Sequence, residues 1–243
     1  SHAWSSSYGG AVVANDGNNY GGDYAWKIPA SAASAGVEQN LVGLVPSTAY
    51  RLTGWTTNGG LGLTFGVKNQ GATQVTSSVA ASTWTQATVN FTTGSSATGA
   101  TIFAFRGSSA QTAYADAFFL SQPLTAPWTG VDVGALGLTG TSGRLGGKFV
   151  VQATGSNISG GSDRCHLIHQ PLSGDGTLTA RILGADVLSD VTKAGLMLRD
   201  STAPNSRAVA LTWNTATGQI DFLRRSTAGA GPVVTSTPAG SVP

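Results

Sequence analysis

Leu44-Val45-Pro46-Ser47-Thr48-Ala49-Tyr50-Arg51-Leu52-Thr53-Gly54-Trp55 is the stretch that decides the fold class. From Ala49 onward it alternates with a period of two. Tyr50 and Leu52 therefore share one face of a strand, and Arg51, Thr53 and Trp55 share the other. Asn58-Gly59-Gly60 turns the chain, and Leu61-Gly62-Leu63-Thr64-Phe65-Gly66-Val67 then places its four apolar residues on one side. The same beat runs outward in both directions. Tyr24, Trp26 and Ile28 alternate, as do Val89 and Phe91 after Trp84, and further strands read Thr101 to Arg106 and Ala113 to Leu120. Short alternating runs with regular turn signals predict an all-β protein of sandwich type.

Composition agrees. Charged residues make up 10% of the chain, against about 25% in an average soluble domain, and Glu38 is the sole glutamate. Long charged side chains are what helices use on their solvent face; here Ser, Thr, Asn and Gly fill that role, and they favour strands and turns. The 243 residues suffice for one large or two small domains. A net charge of +2 with no basic block argues against nucleic acid as a partner, and no apolar run approaches a membrane span.

Gln122-Pro123-Leu124-Thr125-Ala126-Pro127 has two prolines and no periodicity, so the expected organisation is a module over 1–122, a linker over 123–127 and a second module over 128–243. In the second module, Lys148 to Val151, Cys165 to Gln170, Thr177 to Leu183, Lys193 to Arg199, Arg207 to Trp213 and Gln219 to Arg224 read as strands. Gly174-Asp175-Gly176 predicts a hairpin between the second and third of these. The tail from Ser226 is rich in small residues and Pro.

Sugar rings present C–H faces and a rim of hydroxyls, so a binder needs flat aromatics and planar donors. Trp55, sharing a face with Arg51, fits that need; a Trp covering a second apolar layer fits the same pattern. Tyr20 and Asn19 lie in the polar loop Asn15 to Asp23, which reads either as a binding rim or as a solvated loop. Arg106, closing its strand, either reaches the Trp55 face or makes a surface ion pair. Trp26, Trp84, Trp128 and Trp213 read as packing residues. Glycoside hydrolysis commonly uses two carboxylates at a fixed separation, and no short motif here proposes them. His166 and His169 are three apart, which on a strand sends them to opposite faces and precludes a shared metal. Cys165 has no disulfide partner and reads as a small buried apolar residue.

Several of these stretches resemble the jelly-roll carbohydrate-binding modules of the CBM4/9/22 type: the strand Tyr24 to Ile28, the Leu44 to Trp55 run, Trp84-Thr85-Gln86 to Phe91-Thr92-Thr93, and the closing Thr112 to Leu120. The resemblance covers about residues 4–121 and implies a non-catalytic sugar binder. It also implies a structural calcium for which Asp116 is the candidate ligand, with Ala117 standing where the family has a second Asp. Residues 128–243 resemble the DUF1349-type concanavalin-A-like sandwich of bacterial polysaccharide-degrading enzymes, carried by Trp128 to Gly134, Gly161-Ser162-Asp163, Gln170 to Arg181 and Lys193 to Asp200. That family runs on for further strands, so the resemblance implies an incomplete second sandwich, completed by a linked catalytic domain or a second chain.

The expectation is a secreted protein that holds an attached polysaccharide-degrading enzyme on a neutral polysaccharide such as a glucan. Ser1-His2 reads as a scar left by tag removal, and a secreted protein would have lost its signal peptide. A catalytic fragment of a hydrolase or lyase, and a purely adhesive module, are the alternatives.

Overall fold

A computed structural model describes residues 4, 6–31, 33–155, 157–158, 160–185 and 192–238. Ser1 to Ala3 lie outside the described residues, as do Ser159 and residues 239–243 of the tail. The chain is all-β and divides into two compact units, Ser1–Pro123 with Arg144–Lys148, and Leu124–Gly143 with Phe149–Pro243.

The first unit contains β1 (Ser6–Tyr8), β2 (Val12–Ala14), β3 (Ala25–Ile28), β4 (Ala35–Val42), β5 (Ala49–Thr57), β6 (Leu63–Lys68), β7 (Val75–Val79), β8 (Thr85–Thr92), β9 (Gly99–Arg106) and β10 (Ala113–Ser121). They form two five-stranded antiparallel sheets, ordered β1-β4-β9-β6-β7 and β2-β3-β10-β5-β8. Alternation puts Val37, Leu63, Phe65, Val67, Ile102 and Ala104 of the first sheet inward, against Ile28, Tyr50, Leu52, Val89, Phe91 and Ala115 of the second. Each of the larger apolar side chains among them contributes about 1.5–3 kcal/mol by leaving water. Gly54 is required in this core, because a Cβ there would strike the Phe65 ring. The faces expected for Tyr50, Leu52 and Trp26 are the ones seen, while Tyr24 and Leu61 are exposed beyond the strand ends.

The piece Arg144–Lys148 was not legible in the sequence. It joins the first unit through paired backbone bonds between Gln122 and Arg144 (2.7 and 2.9 Å), with Leu145 packed on the core.

The second unit contains β11 (Thr129–Val133) paired with β14 (Cys165–His169), and a meander of β15 (Lys193–Arg199), β16 (Ala208–Asn214), β17 (Gln219–Arg225) and β18 (Val233–Pro238). A short hairpin, β12 (Thr141–Leu145) and β13 (Lys148–Gln152), straddles the division. The hairpin expected around Gly174 does not form. Residues 170–184 are exposed and carry no regular structure, because no described strand pairs with Thr177 to Leu183. Conversely, the small-residue tail supplies β18. Trp213 also departs from expectation. It shares its sheet face with Leu211 and Phe222, which are 50% and 46% exposed, so that face is not a core.

Candidate functional site

The outward face of the second sheet gathers most of the residues singled out for binding. Register places Asp116 beside Trp55 and Trp55 beside Gln86, with Phe119, Thr53 and Thr88 in the next row and Ser121, Arg51 and Asn90 in the row beyond. β10 carries one extra residue between Asp116 and Phe119, and Ala117 takes φ 50° there. This bulge aims Asp116 at the loop that precedes β3.

That loop folds back over the face. Tyr20 and Gly21 donate their backbone N–H groups to Asp116 Oδ2 at 2.9 and 3.2 Å, and Ala117 N–H donates to Oδ1 at 2.6 Å. Asn19 closes the loop by donating from its side chain to the carbonyl of Gly22. So held, the Tyr20 ring stacks on Trp55 with centroids 4.1 Å apart and planes 20° off parallel. Trp84 meets Tyr20 edge-on at 5.8 Å. Beside them Lys27 Nζ and the Tyr114 hydroxyl both donate to Asp16 Oδ2, at 2.9 and 3.0 Å.

Of the two readings of Trp55, a sugar-stacking ring and a covering Trp, its own ring is not open to a sugar: Trp55 is only 7% exposed, because Tyr20 occupies its face. The aromatic surface of this cluster is that of Tyr20 and Trp84, with Trp55 as their backing. Arg51 stands on the same face, two rows away and half-buried. Arg106 does not join it: it ends β9 in the other sheet, is buried, and makes no ion pair among the described residues. Tyr114, Asp16, Lys27, Gln86 and Trp84 belong to the site and were not singled out for it. Alternation along Ala113 to Leu120 does put Tyr114 with Asp116, and that signal was readable.

Electrostatics follow from the geometry. The hydrogen bond from Lys27 holds the Asp16 carboxyl down to about 2. Burial raises Asp116, against the pull of its three N–H donors. Among the described residues, Thr53 Oγ1 and Gln86 Nε2 near the aromatic cluster, and Ser121 Oγ two rows away, are buried on this face without hydrogen-bond partners. Both Asp116 oxygens accept N–H bonds, and among the described residues no group of three or more His, Cys, Asp or Glu assembles.

The second unit holds a Ser–His–Asp chain. His166 Nδ1 lies 2.6 Å from Asp132 Oδ1, its cross-strand neighbour, and Nε2 lies 2.8 Å from Ser142 Oγ. Gly140 donates its N–H to the Asp132 carboxylate, and a Cβ on Gly140 would strike the imidazole. The distances match a nucleophilic triad, but exposure runs the wrong way. Ser142, which would have to meet substrate, is 5% exposed, whereas the Asp132 side chain is 26% exposed. The chain ties β11, β12 and β14 together. His169 points to the other face and meets Thr129 at 3.1 Å, so the two histidines are apart as expected. Burial pushes the Cys165 thiol up to about 11, which makes it a poor nucleophile.

No family model matches the chain. Over 97 residues it is 34% identical to the keratan-sulfate endo-1,4-β-galactosidase of Sphingobacterium multivorum, covering 39% of this chain and 23% of that enzyme. The chain thus spans about a quarter of that relative's length. Among solved structures it is similar to a family 61 carbohydrate-binding module in complex with β-1,4-galactotriose (18% identity, 48% of this chain and 86% of that one, TM-score 0.41). It is also similar to a family 16 carbohydrate-binding module (24% identity, 46% and 85%, TM-score 0.38). A third likeness is to the CBM22-1 xylan-binding domain of Paenibacillus barcinonensis Xyn10C (16% identity, 47% and 83%, TM-score 0.36).

Proposed function

We propose that the first unit binds a neutral, β-linked polysaccharide on the outward face of its second sheet, outside the cell, as the non-catalytic part of a polysaccharide-degrading enzyme. The observation that carries this reading is the Tyr20–Trp55–Trp84 cluster, set in a frame of Asp16, Lys27, Tyr114 and Gln86. A stacked aromatic pair gives a rigid plate for a pyranose C–H face, and the surrounding polar groups suit its hydroxyl rim. Galactose is the sugar favoured over glucose, because the 34% identical relative is named for cleaving a β-galactosidic chain. Tethering a catalytic domain to such a polymer raises its effective concentration there.

Affinity electrophoresis in gels containing galactan, glucan or xylan tests this. Retardation by at least one polymer is expected, with Tyr20→Ala weakening it about tenfold or more, since stacking on a shallow site supplies most of the contact. Undiminished retardation of Tyr20→Ala would remove the site; no retardation in any gel would remove the function. Thermal melts with and without excess chelator decide whether calcium belongs to the fold: an unchanged Tm is expected from the donors around Asp116.

A further inference from the structure

The first sheet of the sandwich, β1-β4-β9-β6-β7, has an outward face that the Tyr20–Trp55–Trp84 site does not use. Val37, Phe65 and Ala104 point into the core, so their neighbours along each strand point out. Register sets these neighbours in rows. One row crosses the whole sheet through Tyr8, Gly36, Phe105, Thr64 and Ser78. Glu38, Phe103 and Gly66 stand side by side in the next. Five strands make such a row about 19 Å long, room for several sugar rings.

Glycine notches both rows, and an aromatic ring fills each notch. A Cβ on Gly36 would meet the ring and hydroxyl of Tyr8, and one on Gly66 would strike the ring of Phe103. Both side chains therefore lean along the sheet instead of standing up from it. Phe103 is sealed at 6% exposed, beneath Lys68, whose Nζ lies 5.6 Å over the ring and donates to Glu38 Oε1 at 2.7 Å. Tyr8, on the edge strand, is 36% exposed, and Phe105, across Gly36 from it, is half-buried. Packing over glycine backbone accounts for Phe103. Tyr8 and Phe105 still leave aromatic surface in water after covering Gly36.

The polar groups around these rings are hydroxyls, amides and one ion pair. Thr64 and Ser78 share a hydrogen bond of 2.9 Å between their hydroxyls, and Thr101 Oγ1 donates to Asn40 Oδ1 at 2.8 Å. Lys68 and Glu38 neutralise each other, so these rows offer no net charge to an ionic partner. Open rings with a neutral hydrogen-bonding rim suit the C–H face and hydroxyls of an uncharged pyranose.

We propose that this face is a second carbohydrate site. Tyr8 and Phe105 stack on units of a neutral, β-linked polysaccharide, and Thr64, Ser78 and the Lys68–Glu38 pair meet its hydroxyls. One chain then holds two polymer strands, on opposite sides of the sandwich. The ligand class rests on the function proposed above; the site lies on the sheet which that function leaves unassigned.

The test titrates the full chain with galactan, glucan and xylan hexasaccharides and repeats the affinity gels with the polymers. Two equivalents of one hexasaccharide per chain are expected in the wild type, a reading that needs no substitution. Tyr8→Leu keeps an apolar cover over Gly36 but removes the flat ring, and should leave one equivalent. Tyr8→Phe should keep two. Tyr20→Ala should leave one, and Tyr20→Ala combined with Tyr8→Leu should leave none. On the polymer, each single loss should weaken retardation about tenfold or more, because the second engagement no longer reinforces the first. One equivalent, unchanged in Tyr8→Leu and abolished in Tyr20→Ala, would overturn this site and leave the first standing. One equivalent abolished in Tyr8→Leu and unchanged in Tyr20→Ala would support this site and remove the other. No binding of any hexasaccharide or polymer would overturn the carbohydrate reading, and this site with it.

Discussion

The two units treat the same alternating pattern differently. In the first, two sheets face each other and every inward strand face is met by another. In the second, the β15–β18 sheet buries one face, with Ala210, Leu223, Asp221 and Arg225, and leaves Leu198, Leu211, Phe222 and Val233 of the other exposed. Alternation therefore dictates which residues share a face and leaves open whether anything covers it. The buried side of that sheet also differs in kind from the first core. It is organised by charge, with Asp163 gripped by Arg225 at 2.6 and 2.9 Å and by Arg199 at 3.1 Å.

The sharpest way to break this comparison is to remove matching rings. Phe65→Ala, in the closed core against Phe118, should cost about 3–5 kcal/mol in urea denaturation. Phe222→Ala, on the open face, should cost less than about 1 kcal/mol. Equal losses would mean that the exposed face is covered in solution. Next in size is Asp163→Asn, which leaves two guanidinium groups without their carboxylate and should destabilise the second unit by about 3–5 kcal/mol. A resolved loss of the β15–β18 signals in hydrogen exchange, with the first unit unaffected, is the expected pattern.

The smallest effect is acid. Burial alone would raise Asp221, but hydrogen bonds from Lys193 and Ser236 outweigh it and hold the carboxyl below its ordinary value. Its contribution is thus present above the unfolded carboxylate pKa and fades as pH falls through the lower, folded value. Asp221→Asn should flatten the second unit's stability against pH in that window, and an unchanged profile would remove Asp221 from the account.

Much of the first unit was legible because its strands are half-buried and alternate cleanly. β5, β6, β9 and β10 were readable from Tyr50, Leu52, Phe65 and Ala113 outward. β1, β4 and β7 were not, since Ser, Gly and Asn interrupt their pattern, and β2 is only three residues long. Thr177 to Leu183 has the strand pattern and pairs with no strand among the described residues. The binding face was half legible. Trp55, Arg51 and Asp116 follow from period two, whereas Tyr20 closing over Trp55 depends on Asp116 capturing two loop N–H groups some 96 residues away in sequence.

By itself the sequence determined an all-β chain, the side of each clean strand on which its residues stand, and the opposition of His166 and His169. These are local consequences of a two-residue repeat. Only the tertiary structure decided that Trp55 lies beneath Tyr20, that Arg106 is interior and unpaired, and that one apolar sheet face stands open. Each depends on which distant segment comes to rest against a strand, and a strand's own residues carry no record of that.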